Sequence, residues 1–185
     1  MMQPIVCDGF VRDPHELRSR ALSLEFIDWE APDGEVYKRI SIQHVPEVQS
    51  KIERVMGCPV EMLGMGFRLN YGGEVPNAAI HSDIGWGTHA LVLYLSDSPG
   101  GTAFWQHKAT GARRIEQGDT ALFEQVRGDW DCADCWDQVG LCKQKFNRGV
   151  IYESALFHSR WPFEASGTGP DDGRLILVAF FTPED

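Results

Sequence analysis

The sequence predicts a mainly β fold, a double-sheet jelly roll with α-helices packed outside it. Three observations carry this. From residue 60 onward, short segments rich in β-branched and aromatic residues follow one another. Turn signals separate them: "YGG", "GWG", "DSPGG", "QGD" and "SGTGPDDG". Before residue 60, apolar residues recur at helical spacing instead. Short strands with such punctuation build sandwiches and barrels, and helices ahead of them serve to cover a sheet face. The 185 residues suit one domain. Residues 1–60 read as its helical support and residues 61–185 as its β core.

The first helix is expected within "VRDPHELRSRALSLEF". Asp13 suits the N-cap, Pro14 the first helical position, and Glu16 the third residue of a capping box. Leu17, Ala21 and Leu24 supply its apolar spacing. "APDG" at 31–34 reads as a turn. A second helix runs from Pro46 to Gly57. Val48, Ile52, Val55 and Met56 form its stripe, and Gly57 suits a left-handed C-cap.

The strands are expected at 65–71, 77–83, 89–97, 101–107, 120–126, 148–154, 155–161 and 174–181. Residues 127–147, "RGDWDCADCWDQVGLCKQKFN", break the rhythm and read as an inserted loop or lid.

Composition removes several classes of function. A formal net charge of -10 disfavours nucleic acid as a partner, because phosphate neutralisation needs a basic stripe. No apolar run is long enough to cross a membrane. The opening "MMQPIVCDGF" lacks a basic segment followed by an apolar stretch, so it does not read as a signal peptide. Five cysteines without an even framework then suggest reduced thiols in a cytoplasm.

The chemistry centres on "AIHSDIGWG". On a strand, His81 and Asp83 would share a face. Alone, such a pair is also what a hydrogen-bonded surface pair looks like. His158, in "ALFHSRW", arrives on a distant strand. Two imidazoles and one carboxylate on one face of a metal form the facial triad of non-haem Fe(II) oxygenases. Three protein ligands leave coordination positions open, whereas a structural zinc wants a closed set of four. Arg174 opens "RLILVAFF", where alternation places it with Ile176, Val178 and Phe180. It either snorkels to water or waits, buried, for a carboxylate that its fork fits.

With these residues in place, the sequence resembles the Fe(II)- and 2-oxoglutarate-dependent dioxygenases, in the branch that includes the prolyl 4-hydroxylases. The resemblance rests on "RLNYGGEVPNAAIHSD", "LVLYLSDSPGGTAFW", "RRIEQGDTALFE", "LFHSRWPF" and "GRLILVAFF". It implies a double-stranded β-helix of the cupin-like kind, with Fe(II) held by His81, Asp83 and His158. Arg174 would pair with the distal carboxylate of 2-oxoglutarate, and Tyr71 matches a tyrosine that assists there. The implied reaction consumes dioxygen, releases succinate and carbon dioxide, and hydroxylates a small molecule, an amino acid or a peptide side chain. Ile176 departs from the pattern, since many relatives carry a hydroxyl residue there. Prolyl hydroxylases usually have lysine at the position of Arg174.

Other readings of these residues compete with this one. Cys132, Cys135 and Cys142 could hold a second metal, but no further close C-x-x-C completes a zinc site. A zinc deaminase needs H-x-E and P-C-x-x-C, and this chain has neither. Asp83 excludes a halogenase, which in this superfamily leaves that ligand position vacant. Trp86, Trp105 and Arg160 are candidates for substrate contact. Core packing is the alternative for the tryptophans, and an exposed strand end for Arg160. His89 and His107 read as structural. The rival to an enzyme is a non-catalytic jelly-roll module that binds a metal or ligand without turnover.

Overall fold

The computed structural model describes residues 3–30, 36–74 and 79–184. The turn expected at 31–34 lies outside them, as does the start of the strand expected at 77–83. In chain order the elements are β1 (Ile5–Asp8), α1 (Pro14–Leu22), β2 (Ile27–Glu30), β3 (Val36–Ile42), α2 (Pro46–Met56) and β4 (Val60–Asn70). Then follow β5 (His89–Tyr94), β6 (Gly101–His107), α3 (Thr120–Arg127), β7 (Trp136–Lys143), β8 (Arg148–Glu153), β9 (His158–Trp161) and β10 (Arg174–Pro183).

The strands form two antiparallel sheets of a jelly roll, the architecture read from the sequence. The larger has seven strands in the order β1-β8-β5-β10-β4-β3-β2, and the smaller has three in the order β7-β6-β9. Alternation gives the large sheet two different faces. Phe67, Leu69, Leu91, Leu93, Ile151, Leu175 and Leu177 share one buried cluster with Leu17, Ala21, Val48 and Ile52 of the helices. Val48 and Ile52 are fully buried, and each such side chain contributes about 1.5–3 kcal/mol relative to exposure. The opposite face carries Ala90, Val92, Tyr94, Val150, Tyr152 and Ile176, and packs with Phe104 of the small sheet. That second face also borders the cavity described below.

The N-cap of the first helix and the C-cap of the second form as expected. The Asp13 side chain accepts the Glu16 backbone N–H at 3.1 Å, which caps α1. Gly57 ends α2 with φ +79, a conformation that costs glycine little. No helix of the described residues is long and apolar enough to cross a membrane.

Four elements differ from the expectation. The N-terminal segment is not purely helical support: β1, β2 and β3 join the large sheet at its edges. Lys38 and Arg39 interrupt the apolar alternation of β3, and Arg39 has a positive φ of 47. Residues 120–126 are helix, not strand. The Asp119 carboxylate accepts the Leu122 N–H at 3.0 Å, and Leu122, Phe123 and Val126 have helical spacing. Residues 127–147, expected as an inserted loop or lid, are not all loop. They include a short 3-10 turn at Ala133–Cys135 and β7, which pairs with β6 from Lys143 to Trp136. Finally, His81 makes a single antiparallel bridge to His158 rather than lying in a regular strand, and Asp83 caps a 3-10 turn at Ile84–Trp86.

Candidate active site

His81 and His158 meet through their backbones. Each donates its N–H to the other's carbonyl, at 3.0 and 2.9 Å, the closed pairing of an antiparallel ladder. Asp83 is held next to them by its own N–H, which donates to the Ser154 carbonyl at 2.8 Å. The segment 154–158 thus positions all three side chains. His158 is buried and the other two are partly buried.

The donor atoms converge. Asp83 Oδ2 lies 3.1 Å from His158 Nε2, and Asp83 Oδ1 lies 3.7 Å from His81 Nε2. One ligand atom from each residue falls within 4.8 Å of the others. This is the one such group of three or more His, Cys, Asp or Glu found among the described residues. Ligand bonds of about 2.0–2.2 Å need only small side-chain adjustments to close on one ion. His158 Nδ1 is 2.9 Å from the Leu156 carbonyl. With its proton on Nδ1, His158 presents Nε2 to the Asp83 side, the outer-shell arrangement of metal-bound histidines. The site therefore fits a metal by donor chemistry and orientation.

The electrostatics separate the two imidazoles. Burial, then the neighbouring His158, push His81 down to about 4, so it is neutral at pH 7. Burial also opposes charge on His158, but the Asp83 carboxylate and its hydrogen bond outweigh that and raise its pKa. Asp83 is lowered in turn: burial opposes its charge, and His158 overcomes it.

These residues lie on the wall of a cavity of about 330 Å³ between the sheets. Arg174, Ile176, Val178 and Phe180 line it from β10, as alternation predicts. Arg174 is buried. Its Nε donates to Gln144 Oε1 at 3.1 Å, and no carboxylate of the described residues pairs with it. Desolvation brings it down to about 10, so it remains a cation at neutral pH.

Tyr71 lies outside this cavity. It packs against the core beneath the helices, with the Arg39 guanidinium 4.1 Å above its ring. The tyrosine that neighbours Arg174 is Tyr94, whose ring centroid is 5.7 Å from the guanidinium carbon. Its hydroxyl pairs with Thr102 Oγ1 at 2.7 Å.

The three candidates for substrate contact separate. Trp86 lies at the exposed rim of the cavity, stacked on Phe180 with centroids 5.8 Å apart. Arg160 lines the cavity, but its guanidinium donates to the Phe163 and Glu74 carbonyls. Desolvation, then Arg174 and Arg68, bring it down to about 9. Trp105 is a core residue. It is buried among Trp136, Phe157 and Ile115, and its indole N–H donates to Ser159 Oγ at 2.9 Å.

Cys132 and Cys135 lie together beside Asp129, and the hydrogen bond that the Cys135 thiol makes to Cys132 leads the effects that push Cys135 up to about 12. Cys142 sits apart on β7, packed against the cavity-side cluster. Arg68, to which the sequence assigned no role, also lines the cavity. It stands directly opposite Ile176 in the β4–β10 register, so the parity of β10 places it on the cavity face.

No curated protein matches the chain in sequence. Solved structures match it in fold. The non-heme alpha ketoglutarate dependent epimerase SnoN from nogalamycin biosynthesis aligns with TM-score 0.61 and 17% identity, over 96% of this chain and 77% of that one. The alpha ketoglutarate dependent carbocyclase SnoK aligns with TM-score 0.61 and 14% identity, over 96% and 79%. HygX from Streptomyces hygroscopicus, solved with iron bound, aligns with TM-score 0.60 and 13% identity, over 97% and 82%. At these identities the likeness is one of fold. A family model matches residues 80–181, more than half of the chain and the stretch that holds His81, Asp83, His158 and Arg174. The chain belongs to that family, the family of unknown function DUF6445.

Proposed function

We propose that the protein is an Fe(II)- and 2-oxoglutarate-dependent oxygenase acting on a small molecule. One observation carries this reading: two imidazoles and one carboxylate converge on the wall of a cavity that also presents a buried arginine without a carboxylate partner. The shared fold with alpha ketoglutarate dependent enzymes supports it.

In this reading His81, Asp83 and His158 hold Fe(II), and Arg174 receives the distal carboxylate of 2-oxoglutarate. Iron(II) and 2-oxoglutarate together supply the oxidising chemistry, in which dioxygen is consumed and succinate and carbon dioxide are released. The chain's own residues do the rest. Gln144 fixes the Arg174 fork through Nε, and Tyr94 flanks it with a hydroxyl anchored on Thr102. Thr102 also lines the cavity. It supplies from β6 the kind of hydroxyl that relatives carry where this chain has Ile176. Val92, Ile176, Val178 and Phe180 make the surrounding wall apolar, which keeps water from the reacting centre and strengthens the charge pairing there. Hydroxylation is the outcome we assign, and placement beside the prolyl 4-hydroxylases rests on the sequence motifs.

Aerobic incubation with Fe(II) and 2-oxoglutarate should yield succinate in the wild type and not in Asp83→Ala. Succinate that persists undiminished in Asp83→Ala would remove the triad from the mechanism.

A further inference from the structure

The cavity holds more positive charge than the cosubstrate explains. Arg68, Arg160 and Arg174 all line it, and among the described residues Asp83 is its one lining carboxylate. This is a local inversion in a chain of net charge -10. On the reading above, a divalent iron and a dianionic 2-oxoglutarate cancel one another, and Asp83 offsets one arginine. Two guanidinium charges are left. Arg160 is spent on backbone carbonyls.

Arg68 is not spent. Its Nε is buried and has no hydrogen-bond partner. Tyr37 lies beside it, with the guanidinium carbon 5.3 Å from the ring centroid. Asp83 acts on it as a nearby charge without forming an ion pair. A partly buried cation whose Nε is shut off from water and unpartnered costs stability, so a ligand that completes it is the natural counterpart.

The floor next to Arg68 has a particular shape. On β4 the cavity-facing row runs Gly64, Gly66, Arg68, opposite Phe180, Val178 and Ile176 of β10. On the other side, Ile42 pairs with Gly66 and Ile40 with Arg68. The glycines bring no side chain, so a slot lies between the two apolar rows. At Gly66 a Cβ would come 2.8 Å from the Ser41 carbonyl oxygen, which forbids one; at Gly64 it would meet only Phe180, at an ordinary 3.7 Å. Trp29, Tyr37, Trp86 and Phe180 form a run of ring contacts over this side of the cavity, each 5.7 to 5.8 Å between centroids.

We propose that Arg68 is the substrate-recognition residue and that the substrate is an apolar or aromatic small-molecule carboxylic acid. Its carboxylate docks on the Arg68 fork, and its body lies in the slot floored by Gly64 and Gly66 and roofed by the aromatic run. The inference names the substrate class of the site proposed above and rests on that reading.

The test uses 3-phenylpropanoate, 4-phenylbutanoate and octanoate as probes, each paired with its primary amide. Binding is measured by calorimetry under nitrogen, with and without Fe(II) and 2-oxoglutarate. A charge-assisted contact predicts that at least one acid binds the wild type roughly ten- to a hundredfold more tightly than its amide. Arg68→Met should bring the pair to within about twofold, while 2-oxoglutarate still binds with Fe(II). Gly64→Val should weaken acid and amide alike and leave their ratio unchanged, since it fills the slot and keeps the charge. Amides that bind as well as the acids, acids that do not bind at all, or a preference that survives Arg68→Met would overturn the assignment. So would a loss of 2-oxoglutarate binding in Arg68→Met, because Arg68 would then serve the cosubstrate. Failure of the oxygenase reading looks different. In that case 2-oxoglutarate does not bind the wild type with Fe(II), whatever the probes do.

Discussion

His81 and His158, far apart in the chain, exchange both backbone hydrogen bonds, at 3.0 and 2.9 Å. That one bridge sets two imidazoles 4.6 Å apart between ring centroids, with Asp83 between their Nε2 atoms. The convergence of these three side chains is therefore set by the backbone.

The protonation of this group predicts how metal binding depends on pH. In the metal-free protein the Asp83 carboxylate raises the pKa of His158 above 6.5, whereas His81 is depressed to about 4. A metal must displace the His158 proton, so affinity should fall as pH drops, beginning above 6.5. Near neutral pH His81 has none to lose. Calorimetry in buffers of differing ionisation enthalpy should find net proton release on metal binding, larger at the lower pH; a binding constant independent of pH between 6 and 8 would contradict the shift.

Stability of the metal-free protein follows the same two shifts with opposite signs. His81 has a folded pKa below its unfolded value, so its contribution is full above 6.5 and is lost as pH falls toward 4. His158 has a raised folded pKa, so its contribution is full below 6.5 and is lost as pH rises through the folded value. Denaturant midpoints for His81→Phe should lose the acid-side slope, and those for His158→Phe the alkaline-side slope. Unchanged profiles would count against both.

Trp86 and Trp105 should respond differently to truncation. Trp105 is buried with its indole N–H bonded to Ser159, so Trp105→Ala should cost about 3–5 kcal/mol of stability. Trp86 is exposed at the cavity rim. Trp86→Ala should cost much less stability and weaken binding of an apolar ligand. Equal losses of stability in chemical denaturation would mean that Trp86 is also a core residue.

The Tyr94 hydroxyl should matter to 2-oxoglutarate through Arg174. Tyr94→Phe removes the bond to Thr102 and one polar group beside the guanidinium. A several-fold rise in KM for 2-oxoglutarate with little change in kcat is expected from a lost hydrogen bond of about 1 kcal/mol. Tyr71→Phe should leave KM unchanged. The reverse pattern would return the role to Tyr71.

Much of this architecture was legible in the sequence, and the exceptions have physical causes. The alternation of "RLILVAFF" placed Arg174 and its partners on the cavity face because β10 is buried on both sides and straight until its bulge after Phe180. The caps of α1 and α2 were legible because Asp13 and Gly57 act locally. Residues 120–126 were misread because "TALFEQV" is rich enough in apolar residues to suit a strand. Only Asp119 ahead of it marks a helix start. β7 was hidden because an edge strand with one face in solvent needs few apolar residues. Arg68 was legible in principle. Tyr71 and Arg68 lie on opposite faces of "RLNY", so a tyrosine packed under the helices puts the arginine in the cavity. Which face was which depended on pairing with β10, and a single strand does not reveal its partner's register.

The most direct test of the central claim is an anaerobic titration of the metal-free protein with Fe(II) and 2-oxoglutarate, followed by the visible metal-to-ligand charge-transfer band. The band should form in the wild type and be lost in Asp83→Ala. In Arg174→Met it should demand roughly tenfold or more 2-oxoglutarate, as expected for a lost charge-assisted contact. A folded wild-type protein that takes up Fe(II) and shows no band would contradict the account, and the cavity would then belong to a binding module rather than an oxygenase.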